Sequence, residues 1–280
     1  MSHGFQPVRV ERGDGVSLKY SFMSFSCPEL GLSDMLVLAR RLGYDGIEPR
    51  IDAKHRHGVE LSTTAAQRKA IRALAADHGV AICCVATSCK YADPQTAAGA
   101  VESARAAIDL AADIGAPTIR VFGGDLGTGL RRYQAIHGVA DSLRSVAEYA
   151  RDRGVTVCME THDSWCDPAH VAAVMRLVDH TAIGVNWDYW HTERVAGATA
   201  DESFGLLKPW IHHVHFHDGT HASDRLEHRA IGSGELEVGR VVALLQGVGY
   251  ADYLSGEWID WEPAEVHLPR ELRAVKALER

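Results

Sequence analysis

No stretch of this 280-residue chain reaches the roughly 18 consecutive apolar residues that a membrane-spanning helix requires. Its start, "MSHGFQPVRVERGDG", is polar and has no apolar signal-peptide core. Membrane insertion and secretion therefore have no sequence basis. Paired Cys-x-x-Cys spacing is also missing among Cys27, Cys83, Cys84, Cys89, Cys158 and Cys166, and an α/β chain of this size needs no disulfide staples. The cysteines read as reduced thiols in a cytoplasmic protein. Positive charge is in deficit: 29 Lys and Arg stand against 37 Asp and Glu, a formal net charge of −8, and the pI is near 6.0. That leaves no global cationic field to hold a polyanion, so nucleic acid and anionic membrane are disfavoured partners. The glycine-rich "GGDLGTG" lacks the G-x-x-x-x-G-K-[ST] frame of a phosphate loop. No linker, low-complexity segment or charge block divides the chain, so residues 1–280 are expected to form a single domain, with 1–16 as an N-terminal extension.

What is present is alternation. Short β-type runs cover 18–26, 46–51, 81–87, 118–122, 156–161, 183–188, 211–217 and 253–257, numbered here strands one to eight. Helical patterns with apolar residues three and four apart lie between them, such as "LSDMLVLARRLG" and "TTAAQRKAIRALAADHG". Glycines 43, 79, 115 and 154 end four of these patterns and lead into the next strand. Eight strand–helix units in this length predict an α/β fold of one closed (β/α)₈ TIM barrel.

In such barrels the active site lies at the C-terminal ends of the strands. Strand five ends "CMETH", strand six "GVNWDYWH", strand seven "IHHVHFHDG" and strand eight "LSGEW". Four consecutive strands thus bring Glu160, Asp188, a histidine and Glu257 to one rim, where neighbours are about 4.8 Å apart. Alternation places His213, His215 and His217 on one face of strand seven, so spacing alone does not choose among them. Three carboxylates and one imidazole suit a hard divalent ion. His162 shares the face of Glu160, as its orienting partner or as a proton carrier. Glu48, ending strand two, is a candidate substrate contact or a rim ion-pair partner of Arg50 or Lys54, and Trp165, Trp190 and Trp258 read equally as a wall for a sugar face or as buried core.

The segments "GYDGIEPR", "METH", "NWDYWH", "HVHFHD", "IGSGEL" and "YLSGEW" resemble, in order and spacing, the xylose isomerase-like barrels of the sugar phosphate isomerase/epimerase group, from about Leu18 to Trp258. The resemblance implies one divalent ion, Mn²⁺ first with Mg²⁺, Co²⁺ or Zn²⁺ as alternatives, held by Glu160, Asp188, His215 and Glu257. It also implies a substrate-binding His191, three residues after Asp188, and places His217 higher in the mouth near substrate. Some ketose epimerases carry arginine where this chain has His221, which touches on the substrate rather than the metal.

Such a site serves proton abstraction next to a carbonyl. The ion steadies an enediolate while Glu160 and Glu257, assisted by His162, remove and return the proton. The expected function is a metal-dependent sugar isomerase or epimerase acting on a small sugar or sugar-like substrate, with assembly as a homo-oligomer allowed. The alternative is a dehydratase or lyase on a keto-sugar, cyclitol or dehydroshikimate-like compound. Endonuclease IV-type DNA cleavage uses extra histidines on earlier strands, and the ends of strands three and four ("CCVATSCKYA", "VFGGDLGTG") have none. A non-catalytic sugar-binding barrel is disfavoured because both acid/base glutamates are present.

Overall fold

Gly43 (φ 86°) and Gly115 (φ 85°) sit in the left-handed region, where a side chain would be strained, and each accepts the end of a helix. They close α1 (Leu32–Leu42) and α3 (Ala97–Ile114); Gly79 and Gly154 do the same for α2 (Ala65–His78) and α4 (Arg132–Arg153). α4 starts six residues earlier than "GVADSLRSVAEYARDRG" suggests, because Gln134 Oε1 accepts the Arg131 backbone N–H at 3.0 Å and caps the helix start before Gly138. Then come α5 (Pro168–Val178), α6 (Tyr189–Ala196), α7 (Ala200–Leu207), α8 (Val238–Gly247) and α9 (Ala264–Lys276). The computed structural model describes residues 17–127, 129–221 and 226–279, so the expected extension at 1–16 lies outside the described residues.

Strands one (Lys19–Met23), two (Gly46–Glu48), four (Thr118–Phe122), five (Thr156–Glu160), six (Ile183–Asp188), seven (Ile211–Phe216) and eight (Tyr253–Gly256) pair in parallel. Strand three comes in two pieces, Ala81–Ile82 and Cys84–Lys90. The first pairs with strand two and the second with strand four, so the break at Cys83 is where the ring closes. A bridge between Arg50 and Ala86 completes the seam. Strand two stops at Glu48 because Pro49 has no N–H to give the ladder. The result is an α/β TIM barrel with helices around it.

Outward side chains such as Val85, Val121, Val157, Val185 and Leu254 are at most 1% exposed beneath the helices. Burying each contributes about 1.5–3 kcal/mol to the wall that fixes the strand ends. Among the described residues no helix is long and apolar enough to cross a membrane.

Candidate active site

Register places the ionisable groups. Asp188 ends strand six opposite His215 on strand seven, and His215 is opposite Ser255, two residues before Glu257. Glu160 ends strand five opposite Asn186, two residues before Asp188. Strand seven carries one extra residue at His212, seen as a register shift against Val185 and Asn186. Gly184 makes room for it, since a Cβ there would lie 2.6 Å from the His212 ring. This bulge sets the phase that brings His213 and His215 to the inner face.

One ligand atom from each of Glu160, Asp188, His215 and Glu257 lies within 4.8 Å of the others. His215 Nδ1 is 3.0 Å from Glu160 Oε1 and 3.2 Å from Glu257 Oε2. Two carboxylate oxygens, Glu160 Oε2 and Asp188 Oδ2, are buried without any hydrogen-bond partner. Arg120 Nε approaches Glu160 Oε2 at 3.1 Å but out of line for a hydrogen bond, and His191 Nε2 stays 3.7 Å from Asp188 Oδ2. Orphaned buried anionic oxygens are costly, and a divalent cation would satisfy both. The residues present therefore fit such an ion.

The electrostatics agree with the geometry. Burial pulls the His215 imidazole down, yet Glu48, Glu257 and Glu160 outweigh it and hold the group well above its ordinary value. Burial raises the Glu257 carboxyl, but His215 wins and brings it down to about 2. Burial also lifts Glu48, and the two imidazoles against it hold it well below the usual carboxylate range. His191 is held neutral, since burial outweighs the pull of Asp188.

The expected residues part company in detail. Glu48 is fully buried, and both its oxygens are taken, Oε2 by His213 Nε2 at 2.8 Å and Oε1 by His215 Nε2 at 3.2 Å. It stands behind the imidazole instead of in front of substrate, and it pairs with neither Arg50 nor Lys54. His217 is fully buried too: its Nε2 lies 3.1 Å from Asp188 Oδ1, and its Nδ1 donates to the Glu257 carbonyl at 3.0 Å. No ring nitrogen is left for a substrate. His162 turns to Asp163, whose Oδ1 is 2.8 Å from its Nδ1, and its ring packs 4.4 Å from that of His191. Its side chain remains 32% exposed, so it faces the opening. Trp165, Trp190 and Trp258 are at most 1% exposed and form core rather than a sugar wall. The glycine run after strand four serves Trp165, because a Cβ at Gly123 would lie 2.3 Å from that ring.

Three polar side chains around the cluster are not singled out by the sequence. Asp163 links His162 to Lys90 Nζ, 3.2 Å from its Oδ2. Arg120 is buried beside Glu160 and donates from Nη1 to the Thr87 carbonyl. Asp218 accepts from the backbone N–H groups of Gly219, Gly232, Gly234 and Leu236, which pins the "IGSGEL" loop just past the end of strand seven. A polar residue in an apolar strand signals Arg120; an "HD" pair followed by a glycine-rich turn signals Asp218. Glu48, Cys84 and His213 form a second close trio. There burial and the Glu48 charge push the Cys84 thiol well above its ordinary value, which makes it a poor ligand.

Comparison with known proteins gives concordant results. The chain is 26% identical over 207 residues, 71% of each sequence, to a 3-dehydroshikimate dehydratase of Bacillus anthracis. Its fold matches that of a probable 3-DHS dehydratase of the same organism, with TM-score 0.76, 19% identity and coverage of 92% of this chain and 98% of that one. It also matches a 3-keto-D-glucoside 4-epimerase from E. coli, with TM-score 0.76, 14% identity and coverage of 93% and 100%. The sequence profile of the xylose isomerase-like TIM barrel family aligns with residues 36–279, and the chain belongs to that family.

Proposed function

We propose that the protein is a divalent-metal-dependent isomerase or epimerase that moves a proton on the carbon next to a carbonyl in a small sugar or sugar-like hydroxycarbonyl compound. The observation that carries this reading is the pair of orphaned oxygens, Glu160 Oε2 and Asp188 Oδ2, inside a four-residue cluster of three carboxylates and one imidazole. Glu160, Asp188, His215 and Glu257 would hold the ion, Mn²⁺ before Mg²⁺, Co²⁺ or Zn²⁺ on the hardness of the donor set. When bound, the ion supplies a positive charge that stabilises negative charge developing on the substrate oxygens.

The remaining work falls to side chains of this protein. Glu160 and Glu257 reach the same His215 nitrogen from strands five and eight, so they flank the space in front of it. One takes the proton from carbon and the other returns it. Glu48 fixes the imidazole plane of His215, and His217 fixes Asp188. Arg120 sets the direction of the Glu160 carboxylate. His191, neutral and 5% exposed, hydrogen-bonds substrate, and His162 lines the outer edge of the opening.

A second reading is a dehydratase, in which the same deprotonation is followed by loss of a β-hydroxyl. It draws on the relative whose name is 3-dehydroshikimate dehydratase. Incubation of ketoses, inosose-like cyclitols and 3-keto acids in D₂O with Mn²⁺ separates the cases. Deuterium gained next to the carbonyl with unchanged skeleton supports isomerisation or epimerisation, and loss of one water supports the lyase. Absence of both in every compound would count against the proposal.

A further inference from the structure

Charge is unevenly spread around the rim: strands five, six and eight bring Glu160, Asp188 and Glu257, whereas guanidinium groups come from Arg50, just past strand two, and Arg120 on strand four. Arg50 is bridged to Ala86, and Ala86 is in register with Arg120, so the three residues form one transverse row across strands two, three and four. Residues in such a row point to the same side of the sheet. Arg120 meets Glu160 on the inner side, and this places the whole row there. The two arginine Cα atoms are two strand spacings apart, about 9.6 Å, with only a methyl group between them.

Arg50 has no carboxylate within 4.0 Å among the described residues. Its donors go to neutral acceptors: Nη1 to the carbonyls of Ile51 and Ala86, and Nη2 to Ser88 Oγ at 2.6 Å. Arg120 has one carboxylate neighbour, Glu160, which belongs to the cluster. Its Nη1 donates to the Thr87 carbonyl, and its Nε is buried without a hydrogen-bond partner. Burial, and then the charge of Arg120, bring the Arg50 guanidinium down to about 10, so it stays charged at neutral pH. Two guanidinium groups that repel one another across a small-residue notch form an incomplete arrangement. An oxyanion between them would complete it, because the planar fork matches carboxylate and phosphate oxygens.

We propose that the Arg50–Ala86–Arg120 row binds an oxyanion group of the substrate, carboxylate or phosphate, so that the substrate is an acidic hydroxycarbonyl compound rather than a neutral sugar. This rests on the proposed reaction at the adjoining carboxylate cluster and narrows its substrate class. Arg50 is the specificity-determining residue, because Arg120 also orients Glu160. A merely structural Arg50 would only tie strand two to strand three through the Ala86 carbonyl.

The test is calorimetric titration of Mn²⁺-loaded protein with three six-carbon probes: D-glucitol, D-gluconate and D-glucitol 6-phosphate. At least one anionic probe should bind about tenfold or more tightly than glucitol, the worth of one charge-assisted hydrogen bond. Comparing the two anions identifies which oxyanion the notch prefers. In Arg50→Gln that advantage should disappear with metal content unchanged, and Arg50→Lys should keep part of it. Equal binding of all three probes, no binding of any, or a full advantage surviving in Arg50→Gln would overturn the proposal. Turnover of a neutral ketose without anion preference would overturn this site alone and leave the reaction standing. Anion preference with no deuterium exchange in any compound would do the reverse.

Discussion

Glu48→Gln alters a carboxylate that no solvent reaches, and its consequences can be worked out from two distances. Glu48 accepts from His213 at 2.8 Å and from His215 at 3.2 Å. Glutamine preserves the volume, but its one oxygen can serve only one imidazole, and its NH₂ then faces the N–H of the other. The variant loses one charge-assisted hydrogen bond, about 1.5–3 kcal/mol, and leaves a buried donor unsatisfied. If His215 ligates through Nδ1, its ring is then free to swing, and metal affinity should fall ~10–100-fold, as when other partners of ligating histidines are removed. Competition against a fluorescent chelator reads the affinity, and thermal unfolding of the metal-free chain reads the stability. Glu48→Asp, one methylene shorter, should lie between the two. Metal affinity within about threefold of wild type and an unchanged melting temperature would refute the positioning role.

Three further outcomes are expected. His191→Ala should raise KM or lower kcat while metal content, measured by mass spectrometry, stays at the wild-type level; metal loss would make His191 a ligand instead. Asp218→Asn replaces one of two oxygens that together accept four backbone N–H groups, and should lower unfolding stability by about 2–4 kcal/mol in urea titration. In the metal-free chain the His215 pKa is raised, so its stabilisation is fully present below about pH 6.5 and is lost as pH rises through the raised value. Glu193, which burial and then Glu237 bring up to about 7, adds a loss that runs from about pH 4.5 to 7 and is complete above that. Melting temperature should therefore fall above neutral pH while metal binding, which displaces the His215 proton, tightens; a metal-free melting temperature that climbs with pH would contradict this.

Much of the barrel was legible because its signals are local. Glycines 43, 79, 115 and 154 stop helices whether or not the barrel has formed, and the strand ends of Glu160, Asp188 and Glu257 follow from where apolar runs meet polar residues. Choosing His215 over His213 needed the family pattern, since the bulge at His212 depends on Gly184 of another strand. The role of Glu48 depends on two histidines 165 and 167 positions away, and sequence spacing carries no trace of that encounter. The three tryptophans read equally as wall or core, and packing decided for core. That Arg50 and Arg120 fall in one row follows from the register of both with Ala86, which is a matter of strand pairing and not of sequence spacing.

Glu160, Asp188, His215 and Glu257 should bind one divalent ion together. Titration of metal-free protein with Mn²⁺, followed by electron paramagnetic resonance of the free ion, measures it directly. Wild-type protein should bind one ion per chain, and Glu160→Gln, Asp188→Asn and His215→Ala should each weaken that binding by at least about tenfold while the far-ultraviolet circular dichroism of the barrel persists. Wild-type Mn²⁺ affinity in all three variants would contradict the account.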